Sequence, residues 1–600
     1  MIRFPAREIT VGTRPLGGNN PIRLQSMTNT DTSNVAATVG QAIRIFEAGA
    51  DYVRISVPNR DSASRLSQIR KAVTGAGFDL PLIADIHFNP ELALIAARHF
   101  EAVRINPGNF TGLPRRNQTT WSDSEYQADL DLLIQNLTPL LKTCKEYGVA
   151  IRIGTNFGSL SKRVVSRLGN TPEAMAESTI EFLKAFESLG FYNTAISVKA
   201  SSPLITIRSY VLMAERMLQE NMAYPLHVGV TEAGEGEDGR IKSALGISTL
   251  LGMGIGDTIR VSLSEAPEDE IPVASKIAAP FQKAFTQPRQ PHESFIVPRI
   301  SFHTQNAPAL PLKLKSIVLS ESETHRSDFL VLMQPPSNQN EQSEKKQIGH
   351  LVCRQTAVKY PLWNWSKLMD SSGNYHPDWN FFAFEPGCDS SMMAHMIQVA
   401  GPVIIANMSA IGNELILEHF MEQAARYGVN PALILQKSFS ETDAEEVLFK
   451  AIELAGPLLL QRKIQGLYLQ APHLPNPNSL TQSSFGLLQA AGMRITRNEY
   501  ISCPTCARTS FDLAGLTRKV KEVLSNCNII GHKIAIMGCV VNGPGEMADA
   551  DFGILGASKG KLHLYKGSTP FKKNLTEDEA VAELLSLVLK EGYTKTLKNE

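Results

Sequence analysis

Short runs rich in valine and isoleucine, each closing on polar or charged residues, recur along residues 1–265. They fall at 21–28, 50–57, 80–87, 101–108, 149–156, 193–201, 224–234 and 257–264. Apolar runs of this length fit strands buried on both faces, as in a parallel sheet. Between them the spacing becomes helical. In 38–48, Val39, Ala42, Ile43 and Phe46 share one face, and Gly49 follows as a stop. Segments 90–99 and 172–189 behave alike, with proline in the first turn, where its missing N–H costs nothing. Eight alternations predict an α/β chain opening with an N-terminal (β/α)8 TIM barrel over 1–285. The irregular spacing of the runs leaves a doubly wound open sheet as the structural alternative.

The pattern then breaks. Residues 287–314 hold five prolines and read as a linker, and 337–346 reads as a polar surface loop. Strand-like runs return at 381–384, 402–408, 432–436 and 467–470, with a helical stretch at 444–454. This predicts a middle α/β insert domain over 298–488, of degenerate-barrel type, with a spacer role. A third domain over 490–600 contains a strand at 533–537 and a turn-rich loop at 542–545.

Composition narrows the function classes. Lys plus Arg and Asp plus Glu are equal at 59 each among 600 residues, so the chain lacks the positive surplus of a general nucleic-acid or membrane-surface binder. The N-terminus carries no signal-peptide pattern and no apolar run is long enough to span a bilayer, which predicts a cytoplasmic location. Seven cysteines, an odd and small number, argue against a disulfide scaffold. Four of them, Cys503, Cys506, Cys527 and Cys539, fall in the last hundred residues; Cys144, Cys353 and Cys388 read as ordinary thiols.

Barrel chemistry sits at the carboxyl ends of the strands. The residues there are Arg54 and Ser56, Asp85 and His87, Arg104 and Asn106, Arg152 and Asn156, Lys199 and Ser201, His227, Thr231 and Glu232, Arg260 and Ser262. Five cations on one mouth repel unless an anion joins them, and arginine forks match phosphate oxygens. A small diphosphate or doubly phosphorylated molecule is the expected guest; the plain alternative is that each arginine pairs with a local carboxylate. Asp85, His87 and Glu232 are candidate proton carriers, Glu232 foremost because it lies in a glycine-flanked turn. In the tail, Cys503 and Cys506 form C-x2-C, and Cys539 precedes Asn542-Gly543-Pro544-Gly545-Glu546. Three thiolates beside one carboxylate suggest an iron–sulfur cluster with an oxygen ligand. A structural zinc on Cys503, Cys506, Cys527 and Cys539, or no metal, stays open at this point, although C-x11-C is a poor second zinc pair.

The motifs VRISVP, ADIHF, RINPGN, RIGTNFGSL, SVKAS, GVTEAG and DTIRVSLS, with ISCPTC and GCVVNGPGE in the tail, resemble those of the 4-hydroxy-3-methylbut-2-enyl diphosphate synthase family of the non-mevalonate isoprenoid pathway. The middle insertion resembles that family's longer, three-domain form. The resemblance implies a C-terminal [4Fe-4S] domain with the cluster on Cys503, Cys506, Cys539 and Glu546. It implies reductive ring opening of 2-C-methyl-D-erythritol 2,4-cyclodiphosphate. It places the diphosphate on Arg54, Arg104, Arg152, Lys199, Arg260 and Ser262, assisted by Asn106 and Asn156, with Asn542 reaching in from the tail. Asp85, His87, Ser201 and His227 complete the expected substrate pocket, and Glu232 becomes the proton-handling carboxylate. Ferredoxin or flavodoxin would supply the electrons, and a homodimer stays open. Two readings from other classes compete: a redox-free diphosphate-handling transferase resembling dihydropteroate synthase, and a non-enzymatic scaffold with a zinc-bound tail.

Overall fold

The computed structural model describes the chain except residues 1, 87–88, 111–119, 288–294, 298–315, 322–326, 334–346, 365–374, 385–398, 400, 409–412, 429, 477, 507, 510, 541–542, 559 and 593–600. Two units are formed. One joins Met1–Pro298 to Arg497–Glu600, and the other is Arg299–Thr496.

Eight parallel strands make the first barrel: β1 (Arg23–Met27), β2 (Tyr52–Ser56), β3 (Leu82–Ile86), β4 (Ala102–Ile105), β5 (Ala150–Asn156), β6 (Thr194–Lys199), β7 (His227–Val228) and β8 (Thr258–Ile259). They pair in the order β6-β5-β4-β3-β2-β1-β8-β7. A parallel bridge between Ile196 and Leu226 joins the two ends and closes the ring. The apolar runs at 224–234 and 257–264 yield strands of only two residues, because beyond Val228 and Ile259 the backbone leaves the ladder to build the mouth. Helices start where capping chemistry dictates: Thr171 and Ser202 accept backbone N–H bonds immediately before Pro172 and Pro203.

An antiparallel hairpin, Ile9–Val11 with Arg14–Leu16, plugs the amino end of this barrel. Its Ile9, Val11 and Leu16 form one buried cluster with Tyr52, Ile83, Ala102, Ala150 and Ala195, which open β2 to β6. The plugged end leaves the carboxyl end as the accessible one. Leu16→Ala is expected to cost about 2–5 kcal/mol by leaving a cavity in this plug, read as a lower urea midpoint at unchanged slope.

The tail forms a five-stranded sheet in the order Glu499–Ser502, Lys533–Met537, Phe552–Gly556, Leu562–Lys566 and Thr569–Leu575. The first three strands are parallel and the last two are added antiparallel. Leu516, Val520, Leu584 and Val588, from helices Leu513–Ser525 and Glu577–Lys590, bury its core. Residues Gly543–Glu546 form a helical turn rather than the loop expected at 542–545.

The tail lies on the carboxyl end of its own chain's barrel. Ala233, just past β7, bridges Ser502 in parallel. The Ser264 and Ser502 hydroxyls meet at 2.7 Å, and Asn29 donates to the Thr505 hydroxyl at 2.8 Å. Lys242–Glu499 and Lys521–Glu235 ion pairs, each 2.8 Å, flank these contacts.

The Arg299–Thr496 unit is a second closed barrel of eight strands, from Ile317–Ser320 round to Gly466–Gln470. Gln347–Cys353 runs antiparallel to both Phe329–Met333 and Lys359–Asn364, while the other pairings are parallel. This is the degenerate barrel expected for the insert. Its centre is aromatic, with Phe329, Tyr360 and Phe381 in mutual contact. Among the described residues of the chain, no helix is long and apolar enough to cross a membrane.

Candidate active site

Strand register builds the mouth of the first barrel. Asp85 is level with Arg104, and Arg104 with Arg152. Residues level on adjacent strands face the same way, so these three form one inward layer. Gly154 and Asn156 continue that face of β5, level with Ser197 and Lys199 on β6. A Cβ on Gly154 would lie 2.2 Å from Nε of Arg104, so only glycine leaves room for that guanidinium. Arg104 donates to the Gly154 carbonyl at 2.8 Å and to Asp85 at 3.1 Å.

The resulting cavity is lined on the barrel side by Met27, Arg54, Asp85, Arg104, Asn156, Ser197, Lys199, Thr231, Glu232, Arg260 and Ser262. The tail contributes Cys503, Pro504, Cys506, Arg508, Met537, Gly538, Cys539 and Gly543. Most residues singled out in the sequence therefore meet here. Others stand behind the lining. Arg152 is buried and donates to the Gln25 side chain at 2.6 Å. Asn106 is a loop post, donating to the Ser159 hydroxyl at 2.8 Å and accepting from the Gly108 N–H at 3.1 Å. His227 is fully buried with Nδ1 3.4 Å from the Thr258 hydroxyl, and Ser201 is half-buried beyond β6. His87 and Asn542 lie outside the described residues.

The plain alternative, local pairing of the arginines, holds for two of them. Arg104 pairs with Asp85, and Arg260 grips Glu270 through Nε and Nη2 at 3.1 Å each. Arg54 instead donates to the thioether of Met27 at 3.1 and 2.9 Å, a weak acceptor. Burial, and then repulsion from Arg260, Arg104 and Arg508, outweighs the attraction of Asp85 and pushes Arg54 down to about 9. An arginine in a protein keeps its proton, so the strain is expressed as a demand for an anion. Lys199 is held well below its ordinary value by burial and by Arg152, Arg54, Arg260 and Arg104.

The sign of a pH effect follows. A bound anion raises the Lys199 pKa, so the complex takes up a proton. Affinity is then greatest below the depressed pKa of the free protein and falls as pH rises towards the raised pKa of the complex. Calorimetry of the binding of sulfate, an anion that does not itself titrate in this range, in buffers of different ionisation enthalpy is expected to show proton uptake between those two Lys199 values.

Two carboxylates share the site. Glu232 is 6% exposed, follows β7 and holds φ at 49°, a left-handed conformation that costs a non-glycine residue about 1–3 kcal/mol and clusters at functional positions. Burial raises its pKa despite the Thr231 hydrogen bond and the nearby Arg260, Lys199 and Arg104. Glu546 is 4% exposed, and burial, then Glu232, raises it well above the ordinary carboxylate value. It accepts from the Gly158 N–H, while its Oε1 has no hydrogen-bond partner among the described residues.

Cys503 and Cys539 follow the ends of two neighbouring parallel strands, which brings sequence-distant sulfurs together. The Gly538 N–H donates to the Cys503 sulfur at 3.1 Å. Burial raises the Cys503 thiol well above its ordinary value, with Cys506, Glu232 and Cys539 adding to the rise. Cys527 is elsewhere, in the apolar core of the tail, which removes the four-cysteine zinc reading. Cys144 is a core thiol pushed up to about 12 by burial, and Cys353 is buried in the second barrel; Cys388 lies outside the described residues. Among the described residues no three His, Cys, Asp or Glu side chains are grouped to hold a single metal ion.

Sequence reasoning missed Glu270, Gln25 and Arg508. Gln25 acts on a cation far along the chain, and Glu270, although ten residues from Arg260, lies on the helix after β8 rather than at a strand end, so neither carries a motif. Arg508 carried one, standing two residues after the second cysteine of C-x2-C.

Fold and site define a (β/α)8-barrel protein whose cationic mouth is covered by a cysteine-bearing domain of the same chain. The chain belongs to the GcpE family: the GcpE TIM-barrel domain matches residues 6–275 and the GcpE protein C-terminal domain matches 499–590. It is 39% identical to the 4-hydroxy-3-methylbut-2-en-1-yl diphosphate synthase (flavodoxin) of Bacteroides fragilis, over 98% of this chain and 96% of that protein. It is 37% identical to the protein of the same name from Akkermansia muciniphila, over 98% and 97%. For Leptospira interrogans the figures are 35%, 98% and 96%. Among solved structures, Stenotrophomonas maltophilia dihydropteroate synthase covers 47% of this chain and 100% of its own at 15% identity and a TM-score of 0.33, a likeness too distant to decide chemistry.

Proposed function

We infer that this chain is an iron–sulfur oxidoreductase of the non-mevalonate isoprenoid pathway. It opens the ring of 2-C-methyl-D-erythritol 2,4-cyclodiphosphate with two electrons, releasing 4-hydroxy-3-methylbut-2-enyl diphosphate and the C3 oxygen as water. One observation carries the reading: a cationic barrel mouth and three cysteines from a distant domain line the same cavity. Flavodoxin, named with the relatives, is the expected electron donor.

The donor set suits a [4Fe-4S] cluster held by Cys503, Cys506, Cys539 and Glu546. The sulfurs are near enough for Cys506 and Cys539 to raise the Cys503 thiol, and the Glu546 carboxyl keeps a buried oxygen unpaired among the described residues. A cluster places each ligand on its own iron, so its cysteines stand farther apart than those around one ion. When bound, it supplies electrons singly and a Lewis-acidic iron with a displaceable oxygen ligand.

The chain's own residues do the rest. Arg54, Arg104, Lys199, Arg260 and Ser262 bind the diphosphate, and Asn156 orients Arg104 from 3.4 Å. Burial raises the Glu232 carboxyl above its ordinary value, which suits it to pass a proton to the departing oxygen. The tail excludes water from the mouth, which strengthens each of these interactions.

Protein purified without oxygen is expected to be brown, with about four irons and four sulfides per chain, and to convert the cyclic diphosphate when given reduced flavodoxin. A colourless zinc protein, or an iron-loaded one inert towards this substrate, overturns the reading.

A further inference from the structure

Among the cations lining the cavity, Arg54, Arg104, Lys199 and Arg260 come from the barrel, and Arg508 comes from the tail. The Arg508 side chain is 14% exposed, with Nη2 3.8 Å from the Asp85 carboxylate. That carboxylate is already engaged by Arg104 at 3.1 Å. Nε and Nη1 of Arg508 are buried without a hydrogen-bond partner among the described residues. Cys506 takes a further side-chain hydrogen bond from Arg508, and against the effect of burial Cys506, Asp85 and Cys539 hold the guanidinium firmly charged, yet Nε and Nη1 still lack an acceptor among the described residues. Unpaired buried N–H donors are costly and rare. The acceptors it lacks are those a diphosphate brings, since guanidinium forks fit phosphate oxygens.

We propose that Arg508 is a further substrate-binding residue, delivered by the tail, whose Nε and Nη1 donors close on phosphate oxygens of the bound substrate. The inference rests on the reading of the mouth as a diphosphate site. The anion site is then whole only while the tail sits on the barrel. By linkage, whatever strengthens anion binding through Arg508 strengthens that docking by the same factor.

The test titrates inorganic pyrophosphate into the full-length chain by calorimetry, comparing wild type, Arg508→Gln and Arg508→Lys. Arg508→Gln is expected to weaken binding about 10–100-fold, as expected for lost charge-assisted bonds. Arg508→Lys recovers part of the loss, because charge returns without the fork. Hydrogen exchange on the unsubstituted chain needs no variant to fold: saturating pyrophosphate is expected to slow exchange across 503–509. Equal affinity in Arg508→Gln, or unaltered exchange across 503–509 in a wild-type chain that binds pyrophosphate, overturns the role of Arg508 and leaves the diphosphate reading standing. A wild-type chain that takes up no pyrophosphate removes the diphosphate reading itself.

Discussion

Adding one methyl group at position 545 is expected to cut turnover at least about 100-fold. A Cβ on Gly545 would lie 1.5 Å from the Gly158 carbonyl oxygen, and one on Gly158 would lie 2.4 Å from the Glu546 amide nitrogen. Both obstacles are backbone, so no rotamer relieves them. The Gly543–Glu546 turn must lift off the barrel, taking the Glu546 carboxyl with it. Displacements of about 1 Å at a reacting centre cost on the order of 100-fold in rate. The contact lies outside the barrel core, so Gly545→Ala is expected to keep its far-UV circular dichroism while losing turnover in the steady-state assay. Near-normal turnover would show that this docking is dispensable.

Glu232→Gln is expected to lower turnover by about 100- to 10,000-fold, the range for losing a positioned proton donor. Pyrophosphate binding separates this role from a structural one. Glutamine keeps the shape of a protonated carboxyl and leaves Arg260, Lys199 and Arg104 in place, so the anion is expected to bind at least as well. A parallel loss of binding and turnover would make Glu232 a post for the mouth rather than a proton carrier.

The barrel was legible because its strands are buried on both faces and the helices between them carry capping residues. β7 and β8 were over-read, since apolar residues there serve the mouth and not a ladder. Half of the second barrel escaped notice: the strands Gln347–Cys353 and Lys359–Asn364 carry Gly349, His350, Lys359 and Pro361, which interrupt the apolar pattern, and antiparallel pairing tolerates them. In the site, residue types at strand ends located the cations well. What they could not supply is depth. Arg152 sits behind the lining although it is level with Arg104, because the Gln25 side chain holds its guanidinium, and His227 opens β7, well before the Thr231 and Glu232 that reach the mouth. Arg508 escaped for a similar reason, since Asp85, which reveals its role, belongs to the other end of the chain. Cys527 looked like a fourth ligand by proximity, but it follows helix Leu513–Ser525, whose apolar face carries it into the core.

One unit of this protein is written in two separated stretches of chain, with Arg299–Thr496 between them. During synthesis the barrel leaves the ribosome first, and about 200 further residues must follow before the cysteine segment arrives. At about 5–20 residues per second that interval is roughly 10–40 s. The nascent barrel therefore has to stand alone, sealed at one end by its hairpin and uncovered at the other. The catalytic chamber is the last part of the molecule to exist, assembled from a lid that is translated after everything it covers.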